Sequence, residues 1–300
     1  MLRDIIDDLF RIQPGTDVSL ARHDPGWAQT EEMRRLGKAD ARRLAEEMLE
    51  QSVKALSEAQ ELLYATDRYA LLIVFQAMDA AGKDSTIKHV MSGINPQGCE
   101  VYSFKRPSLE EVDHNFLWRY MRRLPERGRI GIFNRSYYED VLVVRVHPEI
   151  LAAQRLPIED VNGHFWQHRF DDINAFERHL ARNGTVILKF FLHLSRHEQK
   201  RRFLERLNNP EKNWKFTQAD LVERSFWDDY MHAYEKAISA TSTDWAPWYV
   251  VPADDKWVTR AVVAEVIASA VRGLNLEHPK PDAAQRELLE RARHELEHES

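Results

Sequence analysis

Cysteine is almost absent: among 300 residues only Cys99 carries a thiol. That excludes an internal disulfide and a multi-cysteine metal site, fits a reducing compartment, and leaves Cys99 as an ordinary strand residue. Long apolar runs are missing too. The longest, Ala70 to Phe75, falls far short of the roughly 20 residues that a membrane span takes. The start, MLRDIIDDLF, carries acids where a secretory signal needs positive charge. Together these absences predict a soluble, cytoplasmic protein with no membrane partner. There is no excess of positive charge, since the net charge is −6, and a nucleic-acid partner is not expected. What is present is enough apolar material, 43% hydrophobic with 10% aromatic, to bury a core in a chain of this length.

The basic residues are unevenly spread. Five arginines (119, 122, 123, 127, 129) stand against the single acid Glu126, and seven Lys/Arg between Ser195 and Lys215 stand against three Glu. A solvated helix face explains either cluster alone; two in an acidic chain point to an anionic ligand. Residues 1–30 are rich in turn formers and predict an irregular arm. Residues 31–64 carry apolar positions at helical spacing and predict one long or broken amphipathic helix. Short apolar runs then alternate with amphipathic ones. Strands are expected at 70–76, 99–104, 129–133, 185–194 and 248–253. Helices are expected from Lys83, across Leu109 to Arg123, from Tyr138, and at 170–182, 196–207, 218–239 and 257–273. This alternation is the pattern of an α/β fold, a parallel sheet covered on both faces. One domain over 31–275 and a charged, helical tail at 276–300 complete the expectation.

The most informative stretch is LLIVFQAMDAAGKDSTIKHV, residues 71–90, in which a buried strand runs through a Gly-Lys pair into a helical pattern. A phosphate-binding loop has this context. Its amides and the following helix N-terminus surround a phosphate, and its lysine reaches the outer phosphates. Two positions depart from the common spacing: Ala77 stands at the first glycine and Asp84 at the hydroxyl residue. Asp79 inside the loop would repel phosphate unless a divalent cation lay between them. A second segment, RIGIFNRSYYEDVLVVRV (129–146), ends a strand in Asn134 and Arg135, where such proteins keep the residue that orients the metal.

These segments, with PGTDVSLARHDP, ILKFFLHLSRHEQKRRFLERLNNPEKNWKF and STDWAPWYVVPADDKW, resemble the second family of polyphosphate kinases over nearly the whole chain. QAMDAAGKD with FNRSYYED resembles its class III branch, whose members accept nucleoside mono- and diphosphates. The resemblance implies a P-loop NTPase-type three-layer sandwich, thymidylate-kinase-like, with a helical lid over about 196–235. It also implies a magnesium requirement, with manganese as a substitute, and a homo-oligomer (dimer or tetramer). The implied substrates are inorganic polyphosphate and adenine or guanine nucleotides. On the matching positions, Asp79 is implied as metal and phosphate ligand, Lys83 as the loop lysine, Arg135 as the clamp on the acceptor's phosphate, and Asn134 as their catalytic neighbour. Lys105, Arg106, Tyr138 and Glu139 are implied on the nucleotide side. Ala80, Ala81, Gly82, Asp84, Ser85, Arg202, Arg206, Lys212 and Lys215 are implied on the polyphosphate side.

Phosphoryl transfer asks for alignment and charge neutralisation, and a phosphate acceptor needs no strong base, which fits the lack of any Ser-His-Asp or Cys-His constellation. Arg196 and Lys200 read equally well as plain exposed charges. His164 with His168, and His193 with His197, have i, i+4 spacing but lack the Glu of a zinc HExxH pair, so no zinc site is assigned. Trp214, Trp245 and Trp248 read as core rather than as base-stacking platforms. Two other functions remain open on sequence alone: an ATP-dependent nucleoside monophosphate kinase and a non-catalytic polyanion-binding module.

Overall fold

The computed structural model describes residues 6–157 and 161–299. The first five residues of the expected arm and the last residue of the expected tail lie outside the described residues. Five strands, β1 (Ala70–Ala77), β2 (Cys99–Ser103), β3 (Ile130–Asn134), β4 (Thr185–His193) and β5 (Trp248–Pro252), form one sheet in the order β2-β3-β1-β4-β5. Every neighbouring pair is parallel. The longer helices are α1 (Lys38–Thr66), α2 (Lys83–Val90), α3 (Gly163–Arg182), α4 (Arg196–Asn208), α5 (Gln218–Ser225), α6 (Trp227–Thr241), α7 (Lys256–Arg272) and α8 (Ala283–Glu297).

β1 is buried along its whole length, which explains why it reads as a continuous apolar run rather than an alternating one. Its side chains still alternate between two cores. Leu71, Ile73 and Phe75 pack with Leu56 and Leu63 of α1 and with Val262, Val263 and Ile267 of α7. Leu72 and Val74 pack with Phe170 and Ile173 of α3 and with Ala233, Tyr234 and Ile238 of α6. The result is the expected three-layer α/β sandwich, a P-loop kinase-like fold.

Several boundaries differ from the sequence expectation. For 31–64 the broken form of the two expected is the one found, since Gly37, with φ of 83°, ends Glu31–Leu36 before α1 begins. The 218–239 segment breaks at Phe226 into α5 and α6, and α6 belongs to the core rather than to a lid. No long helix follows Tyr138; a 3-10 turn (Tyr137–Asp140) and two short helices take its place. The helix expected across Leu109 to Arg123 is two single turns, Leu109–Val112 and Trp118–Met121. The arm, expected to be irregular, is pinned to the body. Ile12 N–H donates to the Trp248 carbonyl at 2.8 Å and Leu20 N–H to Glu235 Oε1 at 2.7 Å. Cys99 opens β2, half-buried, with burial pushing its thiol up to about 11. No described helix is long and apolar enough to cross a membrane.

Candidate active site

The chain leaving β1 runs toward the β2 edge, whereas the chain leaving β3 crosses β1 to reach β4. In an open α/β sheet the crevice at the strands' carboxyl ends beside such a reversal is where ligands bind. Ala77 ends β1 and Asn134 ends β3 there, with Phe75 opposite Asn134 in register. The Met78–Gly82 turn leads from β1 into α2. Ala80 and Gly82 both adopt left-handed φ, 64° and 100°. An L-residue holds that conformation only when its surroundings fix it.

The fixing comes from α4. Gln199 Nε2 donates to the Asp79 carbonyl at 3.0 Å. Arg202 Nη1 donates to the carbonyls of Ala80 and Ala81, each at 2.9 Å. Its Nη2 reaches the carbonyls of Ala253 and Asp254, and its Nε reaches Glu198. With three consecutive carbonyls tied back, and with the Ala81 amide donating within the turn, to the Met78 carbonyl at 3.3 Å, the other loop amides and the start of α2 remain to meet an anion. Arg202 is therefore placed differently from the sequence expectation. Its guanidinium is buried and committed to protein oxygens, so it shapes the loop instead of gripping a polymer.

Around the loop the charged residues converge. Lys83 Nζ donates to the Ala77 carbonyl at 3.0 Å. Arg135, itself at φ 65°, lies 3.3 Å from Asp79 and 3.8 Å from Glu139. Asn134 Nδ2 donates to Asp84 Oδ1 at 2.5 Å, and Ser85 Oγ accepts from Arg260 at 2.8 Å. Burial pulls the Lys83 ammonium below the usual lysine range and Arg135 adds to that pull, against the attraction of Asp79, Glu139 and Asp84. Glu139 draws Arg135 upward. Burial holds Glu139's own carboxyl above the usual range despite Arg135 and Lys83. The structure thus gathers Asp79, Ala80, Ala81, Gly82, Lys83, Asp84, Ser85, Asn134, Arg135 and Glu139 around one turn.

Other expected residues stand apart. Tyr138 is fully buried. Its hydroxyl donates to Glu177 Oε1 at 2.9 Å and accepts from Lys189 Nζ at 2.9 Å, so it is a core anchor and not a nucleotide contact. Tyr137 donates to the same Glu177 oxygen at 2.8 Å. This pair of anchors fixes the turn that carries Arg135 and Glu139. Lys105 and Arg106 are exposed on the loop after β2. At the end of α4 and in the turn after it, Lys212 pairs with Glu205 at 2.7 Å, Arg206 reaches the Lys215 carbonyl at 3.4 Å, and Lys215 lies over the exposed Trp214 ring. Trp248 is core, as expected, whereas Trp214, also expected in the core, is exposed. Sequence reasoning missed Gln199, Tyr137 and Arg260. Only Gln199 left a signal, since with Arg202, Phe203 and Arg206 it makes an i, i+3, i+4, i+7 stripe.

A model of the Polyphosphate kinase 2 (PPK2) family matches residues 39–279. The ADP-polyphosphate phosphotransferase of Rhodopseudomonas palustris is 57% identical over 251 residues, 83% of this chain and 87% of that protein. The AMP/ADP-polyphosphate phosphotransferase of Meiothermus ruber is 43% identical over 280 residues, 93% of this chain and 98% of that one. Among solved structures, polyphosphate kinase 2 from Arthrobacter aurescens TC1 superposes with a TM-score of 0.80 at 39% identity, covering 95% of this chain and 96% of the other. A Gly-Lys turn at the switch point of a 2-3-1-4-5 sheet and this extent of similarity have one conclusion: the chain belongs to the polyphosphate kinase 2 family.

Proposed function

We propose that the protein transfers phosphoryl groups between inorganic polyphosphate and nucleoside mono- and diphosphates, converting AMP to ADP and ADP to ATP, with a divalent metal ion. The observation that carries this reading is the loop itself. Gln199 and Arg202 tie back its carbonyls, so its amides other than that of Ala81 remain for phosphate, while Lys83 and Arg135 flank the acid Asp79. Lys83 balances charge on the phosphates in the loop. Arg135, held by Asp79 and Glu139, is free to exchange that contact for an acceptor phosphate, since one 3.3 Å approach is a loose ion pair. No general base is required, because the attacking atom is already a phosphate oxygen.

The metal fits the donor set. No group of three His, Cys, Asp or Glu among the described residues could hold an ion by itself. Magnesium suits such a site because it keeps several waters and binds through one or two carboxylates together with substrate phosphates. Asp79 would hold it, and when bound the ion supplies charge neutralisation at the transferring group.

The names of the two relatives differ in the acceptor, ADP for one and AMP or ADP for the other. Purified protein given polyphosphate with AMP or ADP, and no ATP, tests the reading. Formation of ADP from AMP and of ATP from ADP is the expected result. Activity only with ATP and AMP would mean a nucleoside monophosphate kinase, and binding of polyphosphate without turnover would mean a polyanion-binding module.

A further inference from the structure

The start of α7 brings two cations beside the loop. Arg260 donates to Ser85 Oγ in the first turn of α2. Lys256 precedes it by one helical turn, on the same face. Among the described residues neither forms an ion pair. The acids nearest in sequence are already engaged: Asp255 by Lys38 at 2.8 Å, and Asp254 by the Ser195 amide at 2.7 Å. The acid whose charge Arg260 feels is Glu46 of α1, beyond ion-pair distance. Lys256 is crowded by like charge. Partial burial lowers its ammonium below the usual range, and Arg202, Arg260 and Lys212 push it the same way, with Glu205 opposing. A fold that gathers uncompensated cations beside a phosphate-binding turn leaves them for an anion.

The direction of the donor chain says which anion. A P-loop takes the outermost phosphates on its lysine and the inner ones on the amides at the start of the helix. Beyond that point a nucleoside triphosphate continues as ribose and base, whereas polyphosphate continues as more phosphate. A donor running past Ser85 meets Arg260 first and Lys256 one turn further on. Arg202, though adjacent, cannot serve, because its donors are spent on protein oxygens. We infer that Lys256 and Arg260 form a donor-extension subsite, which binds the phosphates of the polymer lying beyond those held by the loop and so favours a long donor over a short one. This rests on the loop being the polyphosphate site.

The test uses the full-length protein with ADP as acceptor. In Lys256→Gln/Arg260→Gln the KM for long-chain polyphosphate should rise roughly tenfold, the loss of two charge-assisted contacts, and should depend less steeply on salt. Competitive inhibition by inorganic triphosphate, too short to leave the loop, should stay as in the wild type, as should KM for ADP. Lys256→Glu alone, at an exposed position, should raise the long-chain KM in the same direction if the double variant folds poorly, and Arg260→Lys should recover part of the loss. An unchanged long-chain KM overturns the inference while leaving the functional reading intact. Equal weakening of triphosphate also overturns it, because the two residues would then act on the loop itself. If the wild type makes no ATP from polyphosphate and ADP, the functional reading falls and this inference falls with it.

Discussion

Lys83 was legible at once, because a buried strand, a Gly-Lys pair and a helical pattern in immediate succession admit few other uses. Arg202 was not. As one of seven basic residues between Ser195 and Lys215 it looked like its neighbours, and only the fold shows its guanidinium threaded under the loop. Tyr138 misled for the opposite reason: its neighbour Glu139 reaches Arg135 while Tyr138 turns into the core. At this scale, Lys83→Ala should lower kcat by about 10² or more with little change in melting temperature, since the lost group balances charge in the transition state. Steady-state rates with polyphosphate and ADP, alongside a melting curve, check this. His193 supplies a pH prediction. It is buried at the end of β4, its Nδ1 has no hydrogen-bond partner, and burial, then His23, push its imidazole down to about 4. Folded, it stays neutral where the unfolded chain takes up a proton. Stability from this group is therefore full above the ordinary 6.5 and is lost as pH falls toward about 4, a change of about 3 kcal/mol. Urea unfolding across that window should show a shallower acid decline in His193→Gln; parallel declines would refute the assignment.

Among elements, the five strands were legible to within a residue or so because buried parallel strands are short apolar runs with few rivals for the pattern. Helix breaks were less so. The break in 31–64 was expected without a place for it, and the break at Phe226 carries no proline or glycine and is set by where α6 must dock. What binds the elements at the site was invisible in the sequence, because its members are far apart in the chain. Lys189 of β4 and Glu177 of α3 meet at 2.6 Å with no exposure, and Glu177 also receives Tyr137 and Tyr138. Burial pushes Lys189 down to about 8 and Glu177 up, each opposed by the other's charge. Glu177→Gln keeps an acceptor for both tyrosines but strands the lysine charge, a loss of about 3–5 kcal/mol, and the melting temperature should fall by on the order of 10 °C. Adding Lys189→Met should restore much of that. Recovery in the double variant identifies the stranded charge as the cause; none would assign the loss to the hydrogen bonds.

For the molecule as a whole, strand and helix alternation foretold a parallel sheet, yet nothing local foretold the order 2-3-1-4-5, since it depends on which crossovers pass over β1. The arm read as irregular for a similar reason. It is ordered by partners more than 200 positions away, such as Ser239 and Glu235. The charge distribution was legible in part: the basic helix between Ser195 and Lys215 packs on the loop, whereas Arg119, Arg122, Arg123 and Arg129 lie over the rings of Phe104, Trp118, Tyr102 and Tyr64. Because some of those cations are exposed, KM for polyphosphate should rise with ionic strength over the range in which surface charges become screened. An unchanged KM from low to high salt would mean that buried groups alone hold the polymer. The central claim is that the turn from Gln76 to Asp84 presents phosphate for transfer. ATP production from ADP, with polyphosphate as sole phosphoryl donor, measured for the wild type beside Lys83→Ala, tests it most directly. The account predicts sustained ATP formation that the substitution all but abolishes. Equal rates in the two proteins, or no ATP from either, would contradict it.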